Sequence, residues 1–247
     1  MFEVLTKAAT FVAIILLGYI LRRAGFFREQ DFYTLSKLVL KIALPASIVA
    51  NFSQASLSPS MLIFSLLGFG GGVIYVAVGW LMNARKGPEQ KAFDLLNLSG
   101  YNIGNFTMPF AQGFLGAAGV AGACLFDTGN AIMCTGGSYA ATDLLLNGRK
   151  EGEKFLPSLL RKLGSSVPFL TYTAMLILSL CRVRIPTALA DFLQPIANAN
   201  AYCAMFMIGL MFDIQLRPET LKAVAAIVII RNLSAIALSA FCYFVLP

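Results

Sequence analysis

Long apolar runs alternate with short polar loops along the whole chain, and this pattern sets the predicted architecture. A transmembrane helix needs about 20 apolar residues to cross a hydrocarbon core of about 30 Å. The runs that match this length lie at about 6–21, 33–53, 60–82, 92–114, 118–146, 157–180, 187–212 and 220–246. The predicted fold class is therefore an all-α polytopic membrane protein with about eight transmembrane helices. The first run is interpreted as a retained span, because its positive residues follow the apolar residues, unlike those of a signal peptide.

The fourth run is interrupted by two glycines, two asparagines and a proline, which are Gly100, Asn102, Gly104, Asn105 and Pro109. Proline has no N–H for the helix ladder, and glycine lowers helix stability. A broken helix in a bilayer must be buried in protein or face a water-filled cavity, and secondary transporters build binding sites from such breaks. The segment predicts a solute site, with the two asparagines and the proline on one face if the helix continues. The alternative is a kinked helix that only packs closely against a neighbour.

The charged residues predict the orientation and the division of the chain. Arginine and lysine are concentrated in the first, third, fifth and seventh loops, with Arg182 and Arg184 of the sixth loop as the exception, so the odd loops are predicted to be cytoplasmic and both chain ends outside. The polar loop at 147–156 separates a first five-helix repeat, 1–146, from an incomplete second repeat, 157–247. An odd number of spans in the first part would invert the second copy, as in transporters with inverted repeats.

Composition excludes several classes of protein. The chain is 58% hydrophobic and only 13% charged, against about 25% charged residues in soluble domains. The net charge of +7 is explained by the loops, and no basic patch with interleaved aromatics indicates a nucleic-acid partner. The five cysteines form no CxxC pair and there is no histidine, so neither a metal site, a cofactor nor a catalytic triad is predicted. An intramembrane enzyme is accordingly not expected.

Asp127 is the most informative acidic residue, because it lies inside the fifth span. A carboxylate at that depth is costly unless it is paired, protonated or hydrated. Asn130 continues its helix face at i+3. One interpretation is a transport path with Asp127 as a proton or cation site. The other is a structural hydrogen bond, or a position near the extracellular interface.

Arg231 lies about eleven residues into the last span, roughly 16 Å deep at about 1.5 Å per residue. It is interpreted as a ligand for an anionic substrate, as the partner of Asp127, or as part of a buried structural ion pair. Pro45 predicts a kink in the second span that helps to frame the central cavity. Asn198 and Asn200 in the seventh span are further candidates for lining that cavity.

Three short motifs together resemble the auxin efflux carrier family of permeases. They are Leu44-Pro45-Ala46-Ser47-Ile48, the Asn-Gly-Asn-Phe…Pro pattern of Asn102–Pro109, and Phe126-Asp127-Thr128-Gly129-Asn130. The resemblance implies ten spans in two inverted halves of five, with broken helices four and nine crossing at the centre. It also implies transport of small organic anions such as carboxylates.

By the predicted count of eight spans, we expect the chain to depart from that family by lacking spans nine and ten. We expect a secondary transporter in a lipid bilayer, the bacterial inner membrane, with a proton or sodium as coupling ion. The alternatives are a homodimer that supplies the missing half, or a truncated or inactive remnant that serves as a membrane structural or assembly subunit. The predicted substrate-binding residues are Pro45, Asn102, Gly104, Asn105, Pro109, Asp127, Asn130 and Arg231.

Overall fold

The computed structural model describes residues 2–54, 59–83, 85–147, 155–212 and 218–245, and its regular elements there are all helical. The α-helices are α1 Phe2–Arg23, α2 Glu29–Leu38, α3 Leu44–Gln54, α4 Ile63–Met82, α5 Pro88–Leu98, α6 Met108–Phe114, α7 Gly116–Ile132, α8 Ser138–Asn147, α9 Phe155–Ser165, α10 Val167–Leu180, α11 Thr187–Met211 and α12 Pro218–Val245. The π-helical turns are π1 Val39–Ala43, π2 Ile103–Thr107 and π3 Met133–Gly137, and Pro59–Leu62 forms a 3-10 turn.

Helix length and apolar character confirm the prediction of an all-α, multi-pass membrane protein. Within the described ranges, four single helices are long and apolar enough to cross a membrane, and the broken pair α9–α10 raises that number to five. The four are Leu5–Arg23, Gln30–Ser53, Ile63–Met82 and Val224–Phe244. The count of eight spans and the inverted repeat stay predictions. The predicted span 157–180 consists of two helices that separate at Ser166, and residues 148–154 of the predicted divider loop lie outside the described residues.

Two of the π turns each precede a proline. Pro45 follows π1 and Pro109 follows π2, and in both cases one residue lies between the turn and the proline. That residue, Leu44 or Met108, donates its N–H to the carbonyl five positions earlier. An interior proline removes an N–H and crowds the preceding turn. A wider turn of the π type, which often marks functional sites, gives the proline ring room without ending the helix.

The first of two compact units consists of Met1–Ser65, Asn102–Thr128 and Gly164–Asp213. Helices α1 and α11 pack closely in this unit at a pair of glycines. A Cβ atom on Gly18 would lie 2.5 Å from the carbonyl oxygen of Phe206, and one on Gly209 would meet the carbonyl of Ile15. Small residues allow such close backbone approach between membrane helices. Arg22 supports the same pair by donating from Nη1 to the Leu210 carbonyl at 2.7 Å.

The second unit consists of Leu66–Tyr101, Gly129–Leu163 and Ile214–Pro247. In it α5 packs against α8 and α12. Gly79 of α4 lies against the side chains of Leu95 and Leu98, which are almost completely buried. Gly87 and Pro88 begin α5, as expected for a proline in the first turn of a helix. Helix α5 is the first half of the interrupted fourth span, so that half belongs to the second unit.

Candidate functional site

The predicted interruption of the fourth span is present, and within the predicted segment the helix breaks at Gly100. Helix α5 ends at Leu98, Ser99 is extended with ψ 140°, and Gly100 has φ +92°. Left-handed backbone of this kind favours glycine, which lacks a Cβ. A Cβ on Gly100 would also lie 2.5 Å from the Sγ atom of Cys134. The proline lies where π2 continues into α6, and the wider π turn gives its ring room.

In the second unit, Arg231 binds the end of the broken helix. Its Nη1 donates to the carbonyl oxygens of Asn97 at 2.8 Å and Leu98 at 3.2 Å, and its Nη2 donates to that of Gly100 at 2.8 Å. The guanidinium also lies 5.8 and 5.9 Å from the centres of two tyrosine rings. The last carbonyls of a helix lack partners within the helix and carry a partial negative charge. Arg231 therefore caps the carboxyl end of α5.

Asn130 holds the next residue of the interruption in the same unit. Its Oδ1 accepts the backbone N–H of Tyr101 at 3.0 Å, and its Nδ2 donates to the carbonyl of Tyr101, also at 3.0 Å. The thiol of Cys134 donates to the same Oδ1 at 3.2 Å. Asn130 is only 2% exposed, so these bonds are protected from competition. An asparagine amide thus replaces the helical hydrogen bonds that Tyr101 has lost.

In the first unit, the interruption continues from Asn102, whose carbonyl accepts the N–H groups of Phe106 and Thr107, both at 3.2 Å. The predicted face of Asn102, Asn105 and Pro109 required a continuous helix. The π turn replaces that helix, so the three side chains differ in environment: the first is exposed, the second half-buried and the third buried. Of the three, Asn105 has a side-chain oxygen that is buried without a hydrogen-bond partner.

The second and fourth spans meet in this unit through their π turns, since π1 packs against π2. A Cβ on Gly104 would lie 2.9 Å from a methyl group of Leu44, the residue before the half-buried Pro45. The same position would lie 3.8 Å from the hydroxyl oxygen of Tyr172 on α10. Gly104 therefore allows a proline-kinked span and a tyrosine hydroxyl to approach the broken helix.

Four side chains of the first unit carry buried polar atoms without a hydrogen-bond partner, and we call them the polar cluster. The atoms are Asn105 Oδ1, Gln112 Oε1, Tyr172 Oη, and both Nδ2 and Oδ1 of Asn200. Asn200 is 0% exposed and Tyr172 is 2% exposed. Burying an amide or hydroxyl without a partner costs about 2–7 kcal/mol, and such groups are rare in native structures. The cluster is thus available to a bound molecule.

The members of the polar cluster lie on elements that pack together. Helix α11, which carries Asn200, packs against α6 and π2. Gln112 Nε2 on α6 donates to the carbonyl of Ala197, one helical turn before Asn200, at 3.4 Å. Tyr172 and Gln112 are not among the residues predicted from the sequence. In the sequence, each of them is only a polar side chain within an apolar segment, and that alone indicates no role.

Asp127 also belongs to the first unit, on α7, where its side chain is half-buried. Its carboxylate interacts electrostatically with the hydroxyl of Tyr172 and with the buried thiol of Cys124. This carboxylate therefore acts on one member of the polar cluster. The surroundings fit a polar site inside a protein, where an acid is retained at some cost.

The structure distributes the predicted site residues between the two units. Asn130 and Arg231 belong to the second unit and contact the backbone of the interruption. The other six belong to the first unit, and they are Pro45, Asn102, Gly104, Asn105, Pro109 and Asp127. A substrate-binding role stays a prediction for all eight.

Comparison with known proteins decides the family. The family model described as membrane transport protein matches residues 3–168, about two thirds of the chain. The chain belongs to the membrane transport protein family. This match confirms the resemblance to the auxin efflux carrier permeases, and it makes the chain a multi-pass membrane protein of a transporter family.

One curated relative of this membrane transport protein comes from Methanothermobacter thermautotrophicus and is described as an uncharacterized transporter. It is 27% identical over 146 residues, which are 58% of this chain and 47% of the relative. The alignment thus spans about half the length of that protein. No solved structure matches the chain.

Proposed function

We propose that this membrane transport protein is a secondary carrier of small organic anions such as carboxylates, with the solute held beside the broken fourth span in the first unit. The observation that carries the proposal is the polar cluster. Asn200 is fully buried with both amide atoms unpartnered, and α11 packs against the two elements that follow the break. Interrupted helices in secondary transporters bind their substrates in this way.

A carboxylate suits the hydrogen-bond donors of this cluster. Asn200 Nδ2 is buried and unpartnered, and both it and the hydroxyl of Tyr172, which interacts with Asp127, are donors that can bind a carboxylate oxygen. Hydrogen bonds to a charged group contribute about 1.5–3 kcal/mol, about twice the value for neutral pairs. Two such bonds discriminate a carboxylate from an apolar solute of equal size. The resemblance to the auxin efflux carriers supports the same class of solute.

Uptake into proteoliposomes tests the proposal. The full chain is reconstituted, and the entry of radiolabelled mono- and dicarboxylates is compared with that into empty liposomes. We expect saturable uptake that Asn105→Ala and Tyr172→Phe each reduce at least tenfold. The matched control is Asn97→Ala, because Asn97 is exposed and its side chain bonds only within its own helix, to the Phe93 carbonyl at 2.8 Å. A correctly folded protein without uptake would instead favour a structural or assembly subunit.

We also propose that the protein lies in the bacterial inner membrane with its N-terminus outside, on the basis of the positive loops. Cys181, at the exposed end of α10, offers a direct test because it lies in the sixth loop. A membrane-impermeant maleimide added to intact spheroplasts is expected to label Cys181, and Cys181→Ser serves as the control. Labelling of Cys181 only after the membrane is opened would reverse the proposed orientation.

A further inference from the structure

A cavity of about 210 Å³ lies in the second unit, lined by the end of α4, by Lys86 of the loop after it, and by α5 and α12. Polar side chains line it near that loop, and apolar side chains line it further along the two helices. From Gln90 to Leu98, which both line it, α5 advances about 12 Å at about 1.5 Å per residue. Pockets that enclose a drug-sized ligand measure about 300–1,000 Å³. The cavity therefore fits one part of a longer molecule that has a polar and an apolar end.

Lys86 lies at the polar end of the cavity, and its ammonium group is held in place. Its Nζ donates to Oδ2 of Asp94 at 2.7 Å, and Gln90 Nε2 donates to the other carboxylate oxygen at 3.1 Å. The Asp94 side chain is 7% exposed, whereas that of Lys86 is 49% exposed. An ammonium group has three N–H donors, and Asp94 takes one of them. The polar end thus presents an oriented ammonium group to an anion, while both oxygens of the carboxylate are occupied.

Further positive charge lies near this end. Arg85 is exposed next to Lys86, and Lys222 is exposed on α12, one helical turn before Ala226 of the cavity wall. Residues 85–94 and 217–222 together carry five positive and three negative charges, and both segments belong to loops that are predicted to be cytoplasmic. Basic pockets between helices on that side of a membrane bind anionic lipid headgroups, and each lysine or arginine raises the affinity roughly fivefold.

Trp80 indicates the depth of the polar end. Its ring is 40% exposed, and the ring centre lies 4.1 Å from Nζ of Lys91 on α5. Tryptophan is enriched at the level of the headgroups, where lysine side chains also reach the interface. From this level the cavity extends to Leu98 and Ile230, and none of residues 224–244 of the α12 span is buried in the protein. The apolar end is therefore accessible from the hydrocarbon core.

We propose that the second unit binds an anionic phospholipid of the surrounding bilayer, with its phosphate at Lys86 and part of one acyl chain against Leu98, Ile227 and Ile230. A phosphate oxygen accepts a charge-assisted hydrogen bond from the ammonium group. The acyl chain removes the apolar wall of the cavity from contact with water. The bound lipid connects α5, the first half of the broken span, to α12, the helix that carries Arg231. The site lies apart from the polar cluster of the first unit, so it does not depend on the identity of the solute.

Native mass spectrometry of the delipidated full chain in detergent counts the bound lipid. Phosphatidylglycerol, whose headgroup is anionic, is compared with phosphatidylcholine, which carries the same chains on a zwitterionic headgroup. Glycerol 3-phosphate supplies the anion without the chains. We expect one phosphatidylglycerol to bind at least tenfold more tightly than phosphatidylcholine, with the difference falling in high salt, and glycerol 3-phosphate not to bind.

Two substitutions test the polar end. Lys86→Gln, which keeps an amide donor for Asp94, and Lys222→Gln are each expected to weaken the binding of phosphatidylglycerol about fivefold and to leave that of phosphatidylcholine unchanged. The matched control is Arg161→Gln, because Arg161 is exposed on α9 of the same unit and does not line the cavity. If Lys86→Gln does not fold, Lys222→Gln carries the same test, since it leaves the ion pair intact.

One substitution tests the apolar end. Ile227→Trp fills the space for the acyl chain without changing any charge, so it is expected to weaken the binding of both lipids at least fivefold. Val228→Trp is the matched control, because Val228 is 48% exposed and is not part of the cavity wall.

The outcomes separate this inference from the proposed function. Equal affinity for the two lipids overturns the headgroup site, and so does unchanged binding of phosphatidylglycerol by Lys86→Gln, Lys222→Gln and Ile227→Trp. Binding of glycerol 3-phosphate as tight as that of phosphatidylglycerol also overturns the lipid and assigns the site to a free phosphate. Selective binding of phosphatidylglycerol that these variants weaken supports the lipid site, whether or not the protein takes up a carboxylate.

Discussion

Replacing Arg231 by methionine removes the cap from the broken helix while keeping an apolar side chain of similar length. Two hydrogen bonds of 2.8 Å and one of 3.2 Å are lost, and three carbonyls at the end of α5 lose their charged donor. At about 1.5–3 kcal/mol for each bond to a charged group, the two short bonds alone contribute about 3–6 kcal/mol. Water and small backbone shifts recover part of this, so we expect a loss of about 4 kcal/mol. For a chain of this size that lowers the melting temperature by about 10 °C.

Thermal unfolding followed by tryptophan fluorescence in detergent measures the effect. Arg184→Met, which removes the same charge from an exposed position, is the matched control and is expected to melt with the parent protein. Arg231→Lys should fall between the two, because one ammonium group cannot reach three carbonyls in the way a planar guanidinium does. If Arg231→Met melts within about 2 °C of the parent but abolishes carboxylate uptake, the capping role is refuted and direct substrate binding is favoured.

Three further substitutions test the packing around the two units. Gly18→Ala places a methyl group 2.5 Å from a carbonyl oxygen of α11 and should cost about 1–3 kcal/mol, whereas Gly70→Ala, with nothing within 4 Å, removes a glycine from a helix interior and should raise the melting temperature slightly. Asn130→Ala leaves two peptide groups of the interruption unpaired and should cost about 2–4 kcal/mol in the same assay, against no loss for Asn97→Ala. Lys86→Ala breaks an ion pair of 2.7 Å whose lysine is 49% exposed but whose partner, the Asp94 carboxylate, is only 7% exposed. Losing the partner of a buried carboxylate should cost about 1–3 kcal/mol and should persist in high salt; a loss that vanishes in salt would contradict this.

The interruption of the fourth span could be predicted from residue types alone. In a bilayer, an apolar run that contains glycine, asparagine and proline has few alternatives to a broken helix that is buried in protein, because every backbone group needs a partner. Which residue of that segment breaks the helix could not be predicted, since Pro109 is the stronger helix breaker in an isolated chain. The structure tolerates Pro109 in the first turn of α6 and places the left-handed residue at Gly100. Tertiary contacts, among them the amide of Asn130, decide between the two.

The roles of single polar residues were less predictable than the break. Burying a carboxylate or a guanidinium inside a span costs free energy, but the sequence does not say which neighbouring group compensates for that cost. Arg231 binds backbone carbonyls, which are present at every residue and so leave no pattern. Tyr172 joins the candidate site because α10 packs near Gly104, a long-range contact that periodicity does not encode. Asn200, a further candidate from the sequence, was distinguishable from Asn198 only by its complete burial.

The π turns before the two prolines make the length of these spans matter more than their composition. Each residue of a helix advances the direction of the next side chain by about 100°. A π turn contains one residue more than the α-helical turn it replaces, so everything after it is rotated by that amount. Deleting a single residue from Ile103–Thr107 would turn the buried positions Pro109 and Ala111 away from the interior, however conservative the remaining sequence. An insertion or deletion in that turn would therefore disturb the whole of α6, whereas a substitution would disturb only its own contacts.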